Sequence, residues 1–340
     1  MRKTILVVAA FAMLTACKKK SEEITIPEKL SENIELVVEG EKEEKPPLYQ
    51  ASETYNYLGF GYDVTDRFND EASIRASVVD VAAFDASGSY KINFARGTEG
   101  SWTTIHAKDA VDLSARFSDT YKPTKGLNVF GNTIDKIFPG TVATDKKYVY
   151  GYYSNYMVWK RYEFYYDERV NSFLTAGFKR DVTLLNAQEL VHKYGTHVLG
   201  GVQLGSKFDV IYQAEAAEGN RESIVLEGLR YALKRTFGLM SGYLDKVNLA
   251  NLNANSSARI YYSSIGGDSR KLKLETLKDR QILNITDWRS TTTEDNARFI
   301  GVFRNNLIPL DALIDDNVKK AAVKSYLEQY LAAGMVKLTN

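Results

Sequence analysis

Few side-chain types carry chemistry, and this chain is sparing with them. It holds three histidines, His106, His192 and His197, and a single cysteine, Cys17. A zinc site draws three or four ligands from Cys, His and acidic side chains at short spacings. His192 and His197 flank an expected helix end, and Cys17 lies far away at the N-terminus, so no metal site is expected. The same isolation removes Cys17 as a nucleophile. No serine sits in a nucleophile-elbow pattern. The glycine-rich turn "GFGYD" (59–63) lacks the lysine of a phosphate-binding loop. Acidic residues number 43, but no spacing marks a catalytic pair. The sequence is read as that of a protein with no catalytic residue, no metal and no cofactor, and not as an enzyme.

One cluster still asks for a role. "KYGTHVLGG" (193–201) places Tyr194, Gly195, Thr196 and His197 directly before Gly200 and Gly201. The stretch "DVTLLNAQELVHKYG" has helical apolar spacing, Asp181 or Thr183 could cap its start, and Gly195 falls where a glycine stops a helix. His197 then opens a strand. A histidine there is read as a structural group that fixes how helix and strand meet.

The elements around it are mostly strands. "YNYLGFGYDVTDRF" suits a bent strand, "SIRASVVDVAAF" a straight one, and "SYKINFAR" alternates with Tyr90, Ile92 and Phe94 on one side. "VDLSARFS" alternates too, with Val111, Leu113, Ala115 and Phe117 sharing a face, and reads as a strand. The aromatic run 148–166 suits a long strand. "THVLGGVQLGSKFDVIY" and "ARIYYSSIGGDSRKLKL" are strands broken by Gly200-Gly201 and Gly266-Gly267. "IPLDALIDD" and the stretch after it read as helical. Tyrosine is abundant, with 22 copies, as suits sheets, interfaces and membrane boundaries.

The N-terminus reads as a targeting segment. Arg2 and Lys3 precede an apolar stretch at 5–14, too short to span a bilayer. Small residues then lead to Cys17 in the manner of a bacterial lipobox. The expected organisation is a signal peptide (1–16), a lipidated, charged tether from Cys17 to residue 48, and one domain over 49–340. The 44 basic and 43 acidic residues nearly cancel, so no nucleic-acid partner is expected.

"YGTH", the glycine-broken strand after it, an insertion at 213–257, "YYSSIGGD", Trp288, "IPLDALIDD" and the closing "YLEQYLAAG" together resemble the membrane attack complex/perforin (MACPF) family over residues 50–334. Val198 and Ala187 depart from residues common in the family. The lipoprotein start further resembles MACPF proteins of gut Bacteroidales, some of them secreted antimicrobials, and Glu22-Glu23 resembles a surface-export signal of such lipoproteins. The resemblance implies an α+β fold: a bent, four-stranded antiparallel sheet flanked by two helical clusters that unfurl into β-hairpins in pore-forming members.

That implication can be weighed against the residues. Val225, Leu229, Leu233 and Phe237 recur at i+4, so a helix buries them on one face. With Tyr231 they are also all odd-numbered, so a strand turns them toward lipid while Arg230, Lys234 and Thr236 face the lumen. Glu227 and Arg235 interrupt the apolar face. Candidate inserting residues are therefore Tyr90, Ile92, Phe94, Val111, Leu113, Phe117, Val225, Leu229, Leu233 and Phe237, with Gly200, Gly201, Gly266 and Gly267 as hinge glycines. The implied function is a secreted or surface-exposed pore former. It is lipid-anchored at the outer membrane through Cys17, assembles as a homo-oligomeric ring, and is aimed at the membranes of related bacteria, with an outer-membrane protein or glycan as receptor. No separate receptor domain is expected after the family region. The alternative is a non-lytic surface lipoprotein that uses the scaffold for binding or adhesion.

Overall fold

A computed structural model describes residues 36–40, 48–88, 91–164, 168–239, 247–277 and 280–339. The chain begins with three short strands, Val37–Gly40 (β1), Phe60–Tyr62 (β2) and Ile74–Ser77 (β3), then the helix Val81–Ala86 (α1) and the long strand Ile92–Ala107 (β4). An excursion through Ala110–Ser118 (α2) and Asn132–Asp135 (α3) returns as Tyr148–Phe164 (β5). Helices Ala176–Leu184 (α4) and Ala187–Tyr194 (α5) lead to His197–Leu199 (β6) and Gly201–Glu215 (β7). A second excursion, through Arg221–Phe237 (α6) and Leu249–Asn253 (α7), ends at Ser256–Ile265 (β8). The hairpin Lys273–Leu277 (β9) and Arg280–Asn284 (β10), the helix Thr286–Ser290 (α8), strands Arg298–Val302 (β11) and Leu307–Pro309 (β12), and the helix Asn317–Ala333 (α9) follow.

The frame is a four-stranded antiparallel sheet in the order β8-β7-β5-β4. Its strands are rich in Tyr, Val, Ile and Thr, which suit a pleated, half-buried surface. Residues on one side, such as Tyr150, Tyr152 and Ile211, join a core with α2 through Leu113 and Phe117. Val149, Tyr153, Phe208, Val210 and Tyr212 point the other way and pack with α6 and Trp288. Each helical excursion therefore has its own side of the sheet.

The sheet is bent, and three of its ladder irregularities fall at one level, while the β7–β8 ladder shifts at the far end, between Gln213 and Glu215. The β4–β5 ladder shifts between Arg96 and Glu99, the β5–β7 ladder between Val158 and Lys160, and the β11–β7 ladder between Phe299 and Gly301. A bulge inserts an unpaired residue and bends its strand. At the same level β7 changes neighbours, pairing with β11 up to Gly205 and with β8 from Lys207.

Several sequence expectations need correction. Residues 110–118 are helix α2, not a strand. Asp109 caps the helix by accepting from the Asp112 N–H, and Asp112 pairs with Arg116 one turn on. Leu113 and Phe117 are four apart, so they fit either period; the cap decides. "SIRASVVDVAAF" divides into β3 and α1, the latter capped by Asp80. The stretch 181–195 is two helices, because Asn186 and Glu189 form a capping box that starts α5 anew; neither Asp181 nor Thr183 is the cap. "YNYLGFGYDVTDRF" contributes only the three residues of β2. "IPLDALIDD" holds β12 and a single 3-10 turn at Leu310–Leu313. Within the stretch read as a tether, Val37–Gly40 pairs in parallel with β8, because Leu36 and Val38 find apolar cover beside α6.

Candidate functional site

The "YGTH" motif is a brace. Gly195 ends α5 with φ +76°, and a Cβ there would lie 2.7 Å from the Tyr62 backbone, so only glycine fits. The Tyr194 hydroxyl donates to Asp181 at 2.8 Å, and its ring meets Phe178 edge-on. Lys193 and that hydroxyl hold the Asp181 carboxyl well below the usual carboxylate range. Thr196 Oγ1 donates to the Tyr62 carbonyl and accepts from the Val64 N–H, each at 3.1 Å. His197 Nδ1 lies 2.8 Å from the same hydroxyl, and burial pushes the imidazole down to about 4. The histidine is buried and bonded within the backbone frame, and β6 sits between β2 and β12. These four residues fix α5 against β2 and β6, and all four are buried.

The glycines cluster near the bend. Gly266 and Gly267 end β8 with φ of +74° and +70°. The Trp288 indole donates to the Gly266 carbonyl at 2.9 Å, and a Cβ on Gly267 would come within 3.0 Å of the same nitrogen. Gly200 separates β6 from β7; a Cβ there would meet Asn306 Oδ1 at 2.3 Å, and one on Gly201 the Phe303 carbonyl at 2.6 Å. Gly205, which was not among the hinge candidates, is the tightest of the group: a Cβ would lie 1.8 Å from the Met157 carbonyl. Its signal in the sequence was a lone glycine inside a strand pattern.

Both excursions open at one end of the sheet. Ala107 pairs with Tyr150, Tyr148 with Glu215, and Glu215 with Ser256. Residues 108–147 and 216–255 thus form two inserts of the same length, one joining β4 to β5 and the other β7 to β8. An insert that straightened would extend an existing antiparallel ladder.

Insert two is seated closely. Val225, Leu229, Leu233 and Phe237 are buried on α6, each side chain contributing about 1.5–3 kcal/mol. Leu229 rests on Gly151, where a Cβ would meet its own at 3.0 Å. Gly228 lets the helix approach Tyr212 and Asn255, and Asn255 bridges the Tyr212 hydroxyl and the Ile224 carbonyl. The sequence reading passed over Arg221. This residue is 8% exposed and donates to four carbonyls: Lys108 at 2.8 Å, Ala216 at 2.6 Å, Lys146 at 2.7 Å and Tyr148 at 2.8 Å. Its only local signal is a cation at the first helical position, where the helix dipole disfavours one.

A family model described as the MAC/Perforin domain matches residues 45–337. The chain belongs to the MAC/Perforin family. Among solved structures, a MAC/Perforin-domain protein of Bacteroides thetaiotaomicron is similar at 16% identity and a TM-score of 0.66, covering 82% of this chain and 62% of that one. GNIP1Aa of Chromobacterium piscinae is similar at 14% identity and a TM-score of 0.61, covering 83% of this chain and 57% of that one. The chain therefore spans less than two thirds of either relative. No curated protein matches it.

Against the MAC/Perforin frame, the candidate inserting residues fall in three places. Val225, Leu229, Leu233 and Phe237 share α6, while Val111, Leu113 and Phe117 share α2. Ile92 and Phe94 lie in β4, already paired with Phe164 and Tyr162, and so not in a helical cluster. Phe94 is 50% exposed and stacks on Tyr162. Tyr90 and Cys17 lie outside the described residues. No described helix is long and apolar enough to cross a membrane.

Proposed function

We propose that this MAC/Perforin protein is a pore former that oligomerises and inserts β-hairpins from residues 108–147 and 216–255 into a target membrane. One observation carries the reading: both inserts leave the same end of one antiparallel sheet, in register with ladders they can extend. A transmembrane strand needs about 9–11 residues, so each insert is long enough for a hairpin. A lone hairpin would leave backbone groups unpaired in lipid, so insertion must accompany closure of a barrel from several copies.

The sheet has edges suited to that assembly. Among the described residues, β4 pairs only with β5, so its outer edge is open. On the opposite edge, β1 covers Arg259 to Tyr262 of β8. The alternation of strand directions means that a neighbour's β4 would lie antiparallel to β8. β1 is short and parallel, and parallel pairing is slightly the weaker kind, so β1 must yield for such pairing to form.

The proposed setting is a lipid-anchored, surface-exposed or released form, tethered through Cys17 and directed against related bacteria, with a protein or glycan receptor on the target. The lipobox-like start and the fold shared with a Bacteroides protein support that setting.

Pinning α6 tests the reading. In a Cys17→Ser background, Gly151→Cys with Leu229→Cys should form a disulfide, since the Cβ positions need only a small shift from 3.0 Å to the usual ~3.8 Å. Dye leakage from vesicles of target-membrane lipid should be abolished when oxidised and return on reduction. Equal leakage in both states would show that leakage does not require α6 to leave the sheet and would overturn the reading.

A further inference from the structure

Arg221 touches more than its own helix. Lys108 is the first residue of insert one, Lys146 lies near its end, Ala216 is the first residue of insert two, and Tyr148 opens β5. One guanidinium thus ties three of the four points where the inserts join the sheet. Arginine suits this task because it carries five N–H donors on one rigid plane. Among the described residues no carboxylate pairs with it, so carbonyl dipoles satisfy the charge. A buried cation stripped of those carbonyls would be costly. The adjacent Glu222 reaches Arg116 of α2 at 3.1 Å, a second tie between the inserts.

Resting on the reading of 108–147 and 216–255 as inserting segments, we propose that Arg221 is a shared latch that couples their release. Loss of its contacts from either side strands the guanidinium, so the other insert loses its anchor in the same event. The two hairpins then leave the sheet together, and no half-inserted copy accumulates with one edge of its ladder unpaired. An arginine that merely capped α6 would make no such link to Lys108 and Lys146, and only the exposed Arg116–Glu222 pair would then join the two inserts.

Hydrogen exchange with mass spectrometry on the soluble full-length chain, in a Cys17→Ser background and without membrane, reads this directly. In the wild-type protein, peptides covering α2 and α6 should open in one correlated step, with matching rates. Arg221→Gln should speed exchange of both segments at least tenfold while peptides within β7 keep their protection. Arg221→Lys, which retains the charge but not the fork, should fall between. Separate opening of α2 and α6 in the wild-type chain would overturn the latch, as would an Arg221→Gln effect confined to α6. If Arg221→Gln does not fold, the wild-type correlation and Arg221→Lys decide. Because the monomer is measured without lipid, its result stands apart from vesicle leakage: correlated opening without leakage keeps the latch and removes the pore reading.

Discussion

At the scale of single residues, the "YGTH" motif is a set of satisfied bonds rather than a reactive group. Thr196 Oγ1 serves the Tyr62 carbonyl, the Val64 N–H and the His197 ring at once. Thr196→Val removes that oxygen and leaves buried partners unpaired, at a cost of about 1–3 kcal/mol. A urea melt should show the drop with an unchanged slope. The histidines set a pH dependence. Burial holds His197 at about 4, and burial followed by the nearby Arg230 holds His106 at about 4. In the unfolded chain both take up protons near pH 6.5. The stability gained by keeping them neutral is full above about pH 6.5 and is lost as pH falls toward about 4. For His197 the loss is on the order of 3 kcal/mol over that range and about 2 kcal/mol at pH 5. Thermal melts at pH 7.5 and pH 5 should show it, and His197→Gln should flatten the slope whatever its own melting point. His106 sits on β4 near α6, with Arg230, Arg116 and Glu222 around it, so acid should loosen insert two as well.

At the scale of elements, the proposed hinge lies at the bend. Gly205 is closed to any Cβ by the Met157 carbonyl, whereas Gly266 has 3.0 Å to its nearest neighbour and a positive φ. Gly266→Ala should therefore fold, with a stability cost of about 1–2 kcal/mol from the left-handed backbone, and should slow insertion by restricting the hinge. Vesicle leakage kinetics on protein of confirmed monomer fold would check this; leakage at the wild-type rate would move the hinge elsewhere. Much of the frame was legible in the sequence, because the aromatic run of β5 suits a long strand and the glycine breaks after β6 and β8 mark real ends. β4 was read only in its first residues, since "RGTEGS" at its centre is polar and glycine-rich, as an exposed, bulged edge strand can be. α2 was read as a strand because Leu113 and Phe117 satisfy both periods and the deciding cap, Asp109, lies outside the alternating run. Arg221 was invisible as a latch because its partners are backbone carbonyls spread across more than a hundred residues, and carbonyls have no sequence signature. The family resemblance added what periodicity could not: the proposal that the same apolar set on α6 serves a second, inserted conformation.

At the scale of the whole molecule, the proposed assembly through the β4 edge, open among the described residues, and the lightly covered β8 edge is a concentration-driven step. Leakage should rise more steeply than the first power of protein concentration, because a barrel closes only from several copies. A linear dependence at low concentration would count against a ring. Val38→Asp together with Gly40→Val should weaken β1, since Val38 packs beside α6 and a Cβ on Gly40 would lie 2.3 Å from the Tyr262 ring. The variant should assemble at roughly tenfold lower concentration, about 1.4 kcal/mol in RT ln K, as read by sedimentation on vesicles. The most direct measurement follows the lipid-facing period of α6. Single cysteines from 225 to 237, in a Cys17→Ser background, would each carry an environment-sensitive dye and be read on target membranes with a lipid-phase quencher. Insertion as a hairpin requires a period of two: quenching at Val225, Leu229, Tyr231, Leu233 and Phe237, and none at Arg230, Lys234 and Thr236. A helical period retained on the membrane, or no quenching at any position, would contradict insertion and leave the MAC/Perforin domain as a non-lytic binding scaffold.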